Sequence, residues 1–204
     1  MDTADNVKGG NKSSELLSKK PIDITDHRYI TIVTNKRVQV FAYREIAKIA
    51  MEVILFYERK GGFSLHGFIV MPDHIHIMCT PRKVISRIVG DIKKYIAQMA
   101  VSHLSAADKD MLLSMQPSNP KKKERTYQLW ERDFFDFPVR SKRSLGEKLK
   151  YMYENPVRKG ICDTIIDYEF SDSSRYFGSW MRDHPEWINV FHTQKKSEPA
   201  IEKY

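Results

Sequence analysis

Several residue types that stabilise or anchor specialised proteins are scarce in this sequence of 204 residues. Two cysteines occur, Cys79 and Cys162, and neither belongs to a Cys-x-x-Cys pair, which argues against a disulfide framework and against a cysteine-based zinc site. No apolar run approaches the ~20 residues of a membrane-spanning helix. The polar segment 1–20 also has no apolar signal-peptide core. We therefore expect a globular protein of a reducing cytoplasm.

Acidic residues are fewer than basic ones. Lys and Arg total 34 against 26 Asp and Glu, which leaves a formal net charge of +8, and 41% of the residues are hydrophobic. That hydrophobic content suffices for a packed core. A positive excess without an amphipathic membrane anchor favours a polyanionic partner, and nucleic acid is the first candidate.

The length of the chain fits one domain with polar ends. Residues 1–26 contain too few apolar groups to offset the entropy of ordering, so we expect a flexible arm there. A single domain is predicted over residues 27–192, followed by a polar tail at 193–204. Within the domain, the segment of about 105–126 contains prolines and the basic run Lys121–Arg125, which indicates a mobile basic loop.

Hydrophobic periodicity alternates between strand and helix along the chain. The first predicted elements are a strand at Tyr29–Thr34, a helix at Tyr43–Glu58, a hairpin of Phe63–Met71 and His74–Thr80, and a helix at Val84–His103. The second half adds a strand within Tyr127–Arg140, a helix from Ser144, with Glu147 as capping-box partner, to Asn155-Pro156, and a short helix at Ser173–Arg182. This order predicts an α+β fold with an antiparallel sheet covered on one side by helices.

The most informative stretch is Met71-Pro72-Asp73-His74-Ile75-His76, at the predicted hairpin. Side chains alternate along a strand, so His74 and His76 point to the same face with Cα atoms ~6.5–7 Å apart, while Ile75 faces the core. Two imidazoles at this spacing suit two ligands of one cation, with a third group from another element. They equally suit the solvated face of a half-buried strand, so the spacing leaves both interpretations open.

The ordered motifs of the sequence resemble those of the HUH single-tyrosine transposases, in particular the REP-associated tyrosine transposases of bacteria. The resemblance covers residues 28–177, and its motifs are Tyr29–Thr34, Met71–His76, Trp130 with Phe134, Asp136 and Arg140-Ser141, Tyr151–Gly160, and Tyr168 with Ser173-Ser174. It implies a ferredoxin-like antiparallel sheet covered by helices, the HUH endonuclease fold. It also implies an enzyme that nicks single-stranded DNA and transfers strands through a 5′-phosphotyrosine intermediate.

The resemblance also implies roles for individual residues. Tyr151, the first tyrosine of the Tyr-x-Tyr-x-Asn-Pro motif, is the implied nucleophile, and Tyr95 on the helix after the histidine strand is the alternative. The resemblance strengthens the interpretation of His74 and His76 as metal ligands. Asn155 follows Tyr151 by four residues, so on one helix the two would share a face and Asn155 could supply a third ligand. The alternative interpretation of Asn155 is a helix end before its proline.

Three further residues near these motifs receive structural interpretations. Tyr153 points to another helical face than Tyr151 and is expected to pack. Asp73 could add an oxygen ligand, although turn chemistry suffices to explain it. His66 could line the same site, although we expect a solvated or core histidine.

Basic clusters around the motifs predict a groove for DNA phosphates. The candidate DNA-binding residues are Lys83, Arg87, Lys94, Lys121, Lys122, Lys123, Arg125, Arg140, Arg158 and Lys159. Aromatic residues lie between them, and we expect most of these in the core while others stack on unpaired bases. They are Tyr127, Trp130, Phe134, Phe135 and Phe137.

The expected cofactor is a divalent metal, Mg²⁺ first and Mn²⁺ second, with zinc as a third candidate. The expected partner is single-stranded or hairpin DNA, with a monomer favoured over a homodimer and a location in the bacterial cytoplasm at the nucleoid. Two rival functions are a domesticated regulator that binds DNA hairpins without cleaving them and an RNA-processing nuclease on the same scaffold.

Overall fold

The computed structural model describes residues 27–117 and 126–173. These residues form strands β1 (His27–Val33), β2 (Phe63–Met71), β3 (His74–Pro81) and β4 (Phe135–Val139). The helices are α1 (Arg44–Arg59), α2 (Ile85–Ala107), α3 (Lys109–Ser114), α4 (Lys142–Tyr153) and α5 (Asn155–Arg158). Short 3₁₀ turns lie at Asn35–Arg37, Val40–Ala42 and Ile165–Asp167.

The strands form one antiparallel sheet in the order β2-β3-β1-β4. Pro72-Asp73 joins β2 and β3 as a hairpin, whereas β1 lies between β3 and β4 although other elements separate them along the chain. This strand order, with α1 after β1 and α2 after β3, is the ferredoxin-like arrangement. The predicted fold class is therefore confirmed, and β4 forms one edge of the sheet.

Helices α1 and α2 pack on one face of the sheet and enclose the main core. Alternation along the strands directs Ile30 and Ile32 of β1, and Ile75 and Ile77 of β3, to that face, where they are almost completely buried. The helices meet them with apolar stripes at helical spacing, formed by Ile46, Ala50 and Val53 of α1 and by Ile88, Ile92 and Ile96 of α2.

Helix α4 packs on the opposite face, so the sheet is covered on both sides rather than on one. Its buried residues Leu149, Met152 and Tyr153 belong to a second apolar cluster that includes Tyr29, Ile69, Met71 and Met78. The one-sided prediction missed this packing because central strands that are apolar on both faces read as a single apolar run.

The predicted basic loop contains a helix. In α3 the Asp108 carboxylate caps the first turn by accepting a hydrogen bond from the Met111 backbone amide at 2.9 Å. Leu112 and Met115 are buried on the inner side of this segment. The loop prediction is wrong for this part because a six-residue helix is too short for its periodicity to stand out.

Helix α4 is capped by Ser141 rather than by Ser144. The Ser141 hydroxyl accepts a hydrogen bond from the Ser144 backbone amide at 3.1 Å, and Glu147 pairs with Arg143 at 2.9 Å instead of closing a capping box. Both serines precede the apolar positions of the helix, so both fit an N-cap in the sequence. At its other end the helix stops at Tyr153, and α5 begins separately.

Other predictions lie outside the described residues. They concern the arm at 1–26, the basic run Lys121–Arg125, the helix at Ser173–Arg182 beyond its first residue, and the tail at 193–204. Over the described part of the chain, no helix combines the length and apolarity needed to cross a membrane.

The contact between α4 and β2 depends on the small size of Gly67. A Cβ atom at this position would overlap the Tyr153 hydroxyl and lie 2.8 Å from Leu149 Cδ2 and 3.0 Å from Met152 Cε. We expect Gly67→Ala to lower the free energy of unfolding by about 1–3 kcal/mol, because overpacking forces α4 away from the sheet. Thermal unfolding followed by circular dichroism measures the change.

Gly90→Ala on α2 is the matched control for this substitution. Nothing lies within 4 Å of a Cβ atom at Gly90, and Ala is the better helix former by roughly 1 kcal/mol. This variant should therefore be at least as stable as the parent. An unchanged melting temperature for Gly67→Ala would contradict the close packing of α4 on β2.

Candidate active site

His74 and His76 lie side by side on the face of the sheet that α4 partly covers. They alternate with core residues along β3, and their Nε2 atoms are 3.1 Å apart. Only 4% and 6% of their surfaces are exposed, respectively. The structure thus brings the two imidazoles to one point, as the strand spacing predicts.

Each imidazole is oriented through its Nδ1 atom. His74 Nδ1 donates to Asp73 Oδ1 at 2.5 Å, and because a carboxylate only accepts, His74 Nε2 presents its lone pair to the site. His76 Nδ1 lies 2.8 Å from Thr31 Oγ1, a hydroxyl that can donate or accept. His76 Nε2 can therefore present either an N–H to His74 or a second lone pair to a cation.

The third group at this point is the amide of Asn155, which is buried. Its Nδ2 atom lies 3.4 Å from His74 Nε2 and 3.2 Å from His76 Nε2. A half-turn of the amide exchanges Nδ2 and Oδ1, so the same position can offer a donor or a carbonyl oxygen. Asn155 reaches the histidines from the first residue of α5, whereas Tyr151 belongs to α4, so the assumption of a single helix is wrong.

Burial keeps both imidazoles neutral. Removal from water lowers the pKa of His76 to about 3, with smaller contributions from the neighbouring His74 imidazole and from the positive charges of Lys159 and Arg37. Burial likewise lowers the pKa of His74, against the opposing effect of its hydrogen bond to Asp73. At neutral pH both side chains are therefore in the uncharged form that ligates cations.

Asp73 links the histidine pair to two basic residues. Its carboxylate lies 3.3 Å from Arg37 Nη1 and 3.7 Å from Lys159 Nζ, in addition to its contact with His74. Burial alone would raise the pKa of Asp73, but the hydrogen bond from His74 and the two nearby cations outweigh it and hold the pKa below its ordinary value. Turn chemistry therefore does not account for Asp73 fully, and its position directly before a candidate ligand is the signal that could have revealed this.

Tyr151 stands at the surface of α4, with 54% of its area exposed. The Arg158 guanidinium lies 4.1 Å from its ring centroid, and Arg158 Nη2 donates to the Tyr151 carbonyl at 2.9 Å, which orients the ring. Tyr29 lies on the face of the sheet that carries the histidines, because it stacks on His76 with centroids 5.2 Å apart. Burial, followed by the neighbouring Tyr151 phenol, raises the pKa of Tyr29. Tyr151 is thus on the face of the histidine pair.

The structure does not bring Tyr95, the alternative nucleophile, to the histidines. Tyr95 is 52% exposed on α2 and lines a groove between α1 and α2 together with Phe56 and Met99. These helices cover the face of the sheet opposite to the histidine pair.

Tyr153 and His66 have structural partners away from the two imidazoles. Tyr153 is buried, and its hydroxyl donates to Asp172 Oδ1 at 2.8 Å, in agreement with the prediction that it packs. His66 Nε2 lies 2.7 Å from Thr80 Oγ1, near the far end of β3.

The candidate DNA-binding residues divide between the two faces of the sheet. Arg158 and Lys159 lie beside Tyr151 and Asp73. On the opposite face, the exposed residues in or just before α2 are Lys83, Arg87 and Lys94. Arg140 is exposed in the connection between β4 and α4. Lys121, Lys122, Lys123 and Arg125 lie outside the described residues.

Two basic residues of the site lie outside the sequence motifs. Arg37 contacts Asp73 from a 3₁₀ turn. Lys148 of α4 places its Nζ atom 5.3 Å from the centroid of the Tyr29 ring. Their positions follow from packing between distant segments, which the sequence pattern does not reveal.

A cation at the histidines would need neutral oxygen donors, such as an amide oxygen and water, in addition to the two imidazoles. Within residues 27–117 and 126–173, no group of three or more histidine, cysteine, aspartate and glutamate side chains is arranged to hold a metal ion. Asn155 is the polar side chain that completes the group of three found here.

Similarity to known proteins covers the part of the chain that contains this site. The sequence profile of the IS200-like transposases matches residues 25–155, a range that includes both histidines, Tyr151 and Asn155. Over 113 residues the chain is 23% identical to a REP-associated tyrosine transposase of Haemophilus influenzae, and the match covers 55% of this chain and 60% of that protein. The chain thus spans about three fifths of the length of this curated relative.

A solved structure supports the same relationship at the level of the fold. The structure of a REP-associated tyrosine transposase bound to a REP hairpin superposes with a TM-score of 0.54 at 18% identity, and covers 76% of this chain and 81% of that one. The family profile extends over more than half of the 204 residues. The chain therefore belongs to the IS200-like transposase family.

Proposed function

We propose that this chain is a metal-dependent endonuclease and strand transferase for single-stranded DNA, with Tyr151 as its nucleophile. The observation that carries the proposal is the convergence of His74 Nε2, His76 Nε2 and the Asn155 amide within 3.4 Å of one another, on the face that exposes Tyr151. Membership of the IS200-like transposase family supports a DNA-processing reaction at this site.

His74, His76 and Asn155 are the proposed ligands of a divalent cation. Two neutral imidazole nitrogens and an amide oxygen suit Mn²⁺, and they also suit Mg²⁺ if water fills the other positions. The hydrogen bond from His74 Nδ1 to Asp73 supports this role, because it directs the lone pair of Nε2 into the site. When bound there, the cation would neutralise charge on a non-bridging oxygen of the scissile phosphate.

The proposed covalent step exchanges one phosphodiester bond for another. The Tyr151 phenol gives its proton to water and its oxygen forms a bond to the scissile phosphorus, while the bond between phosphorus and the 3′-oxygen breaks. The 3′-oxygen takes up a proton and leaves as a free 3′-hydroxyl, and the 5′-phosphate stays on Tyr151. Because the phosphotyrosine is itself a diester, attack by another 3′-hydroxyl can rejoin DNA without a nucleotide cofactor.

Three basic side chains of the site are proposed to hold the substrate. Arg158 orients the Tyr151 ring from 4.1 Å. Arg37 and Lys159 share the Asp73 carboxylate while their own side chains remain 61% and 45% exposed. Positive groups at this position offset the charge of a phosphodiester that approaches Tyr151.

Hairpin-bearing repeat DNA is the proposed substrate. The solved REP-associated tyrosine transposase that shares the fold is bound to a REP hairpin, which supports a hairpin next to the cleaved strand. The net charge of +8 fits a polyanionic partner. We favour a monomer that acts in the bacterial cytoplasm, at the nucleoid.

Cleavage of labelled hairpin DNA with a single-stranded flank tests the proposal. We expect a free 3′-hydroxyl on one fragment and covalently bound protein on the 5′ end of the other, with Mg²⁺ or Mn²⁺ and not with excess chelator. Equal cleavage in chelator would remove the metal from the mechanism. Hairpin binding without any covalent product, at all metal and salt conditions, would favour a non-cleaving regulator instead.

A further inference from the structure

Two phenylalanines of the edge strand β4 are largely exposed. Phe135 is 70% exposed and Phe137 is 52% exposed, although aromatic side chains ordinarily bury most of their area. The register pairs Phe135 with Thr31 and Phe137 with Tyr29, and Thr31 is paired on its other side with His76. Directly paired residues share a face of the sheet, so both phenylalanines stand on the face of the histidine pair.

A row of rings leads from the histidines to this edge of the sheet. The Tyr29 ring stacks on His76, and Lys148 Nζ lies 5.3 Å from the Tyr29 centroid and 4.4 Å from the Phe137 centroid. Lys148 precedes Tyr151 by three residues on α4. Its ammonium group therefore connects the aromatic edge with the helix that carries the proposed nucleophile.

The Tyr29 hydroxyl independently points to a ligand at this place. Tyr29 is 8% exposed, and its hydroxyl is buried without a hydrogen-bond partner among the described residues. A buried hydroxyl is costly to leave unpaired, so such groups generally meet a ligand or water. This hydroxyl is therefore a position on the histidine face at which a water or a ligand would gain a hydrogen bond.

The other aromatic residues near β4 are not exposed in this way. Trp130 is buried, with its indole N–H donating to the Lys93 carbonyl at 2.8 Å. Tyr127 and Phe134 pack against the main core. Among the aromatic residues of segment 127–137, the largely exposed ones are therefore Phe135 and Phe137, and both lie on the face of the histidines.

The charges at this edge favour a polyanion such as a nucleic acid over a basic or neutral partner. The charged group over the rings is the ammonium of Lys148. Asp136, which lies between the two phenylalanines in sequence, pairs with Arg28 at 3.5 Å on the other face of the sheet. A cation above aromatic rings matches the alternation of phosphate and base along a single strand.

From this arrangement we propose that Phe135, Phe137 and Lys148 form a surface on which unpaired bases next to the scissile phosphate stack. The inference rests on the proposed function and names the part of its substrate that the surface contacts. Stacking uses the π face of a base and none of its hydrogen-bonding edges, so the surface tolerates many sequences. The bases of a hairpin stem are already stacked on their neighbours, so the surface fits the single-stranded flank and not the stem.

Fluorescence of 2-aminopurine, placed at successive positions of the unpaired flank of a hairpin, tests the inference. Titration in chelator separates binding from cleavage. We expect the parent protein to quench one or two positions next to the cleavage site. The Phe135→Leu/Phe137→Leu variant should lose this quenching and bind the flank about tenfold more weakly or worse, because leucine retains apolar area on a strand but has no aromatic plane. Tyrosine at both positions should restore quenching and affinity.

Phe56→Leu is the matched control, because Phe56 is 43% exposed on α1, on the opposite face of the sheet. This substitution should change neither the quenching nor the affinity for the flank. Unchanged quenching and affinity in the double leucine variant would overturn the inference, as would an equal loss of affinity for DNA with an abasic flank. A dimeric parent that becomes monomeric on substitution would assign the surface to a second copy of the chain instead. The proposed function is tested separately, through the metal dependence of cleavage and the covalent adduct on Tyr151, and neither depends on the Phe135 and Phe137 side chains.

Discussion

Replacement of Tyr151 by phenylalanine is expected to abolish the covalent protein–DNA adduct and to reduce cleavage by at least about 10⁴-fold, because phenylalanine has no nucleophilic oxygen. The substitution removes one atom from a side chain that is 54% exposed, so folding should be unaffected. Arg158 donates to the backbone carbonyl of residue 151, and this contact remains in the variant. Labelled hairpin DNA that comigrates with protein on a denaturing gel measures the adduct, and a filter-binding titration should show nearly parental affinity.

Tyr95→Phe supplies a matched control for this experiment. Tyr95 is 52% exposed, almost the same as Tyr151, but it lies on α2 across the sheet from the histidines. The control variant should form the adduct at the parental rate, and mass spectrometry of the parental adduct should place the nucleotide on residue 151. If the adduct persisted in Tyr151→Phe and disappeared in Tyr95→Phe, the nucleophile would be wrongly assigned, although the histidine half of the site could stand.

Elements with strong local signals are the part of the fold that the sequence predicts well. The sequence pattern predicts the hairpin of β2 and β3 to within one residue, because Pro72-Asp73 separates two apolar runs with clear alternation. The same alternation places His74 and His76 on one face. These features depend on residues that are close in sequence, so spacing alone determines them.

Contacts between distant segments could not be predicted in this way. Asp73 meets Arg37 and Lys159 because the β2–β3 turn, a 3₁₀ turn and the end of α5 pack at one place. Asn155 reaches the histidines because the chain turns after α4, at a point where the sequence pattern predicts one continuous helix. In both cases local patterns indicate the residue type and the tertiary packing determines its partner.

The burial of the aromatic residues in segment 127–137, before α4, is likewise not predictable from the local sequence. Trp130 and Phe135 are both aromatic residues among charged neighbours, and nothing in their local pattern distinguishes them. Register with β1 exposes Phe135 beside the histidine face, whereas Trp130 packs into the main core. A strand's register depends on its partner, so the exposed pair on β4 emerges only from the folded sheet.

Substitution of either histidine by alanine is expected to be the second largest loss. His74→Ala or His76→Ala removes one of two neutral nitrogen donors at the proposed cation site. Loss of several kcal/mol of charge stabilisation in the transition state corresponds to a rate reduced by at least about 100-fold. Adduct formation should recover in part at excess Mn²⁺, because a higher concentration of metal offsets a weaker site. Circular dichroism of each variant checks that the buried position tolerates the change.

Asn155→Ala is expected to cause a smaller loss than either histidine variant, because a neutral amide is a weaker and more replaceable ligand than an imidazole. Water can take its place while both histidines remain, so the expected loss of rate is about tenfold or less. Dissociation constants for Mn²⁺, measured by calorimetry without DNA, should rise more in His74→Ala and His76→Ala than in Asn155→Ala. If Mn²⁺ affinity stayed at the parental value in both histidine variants while cleavage was lost, the imidazoles would act on the DNA directly, and the metal would have to be removed from the proposed mechanism.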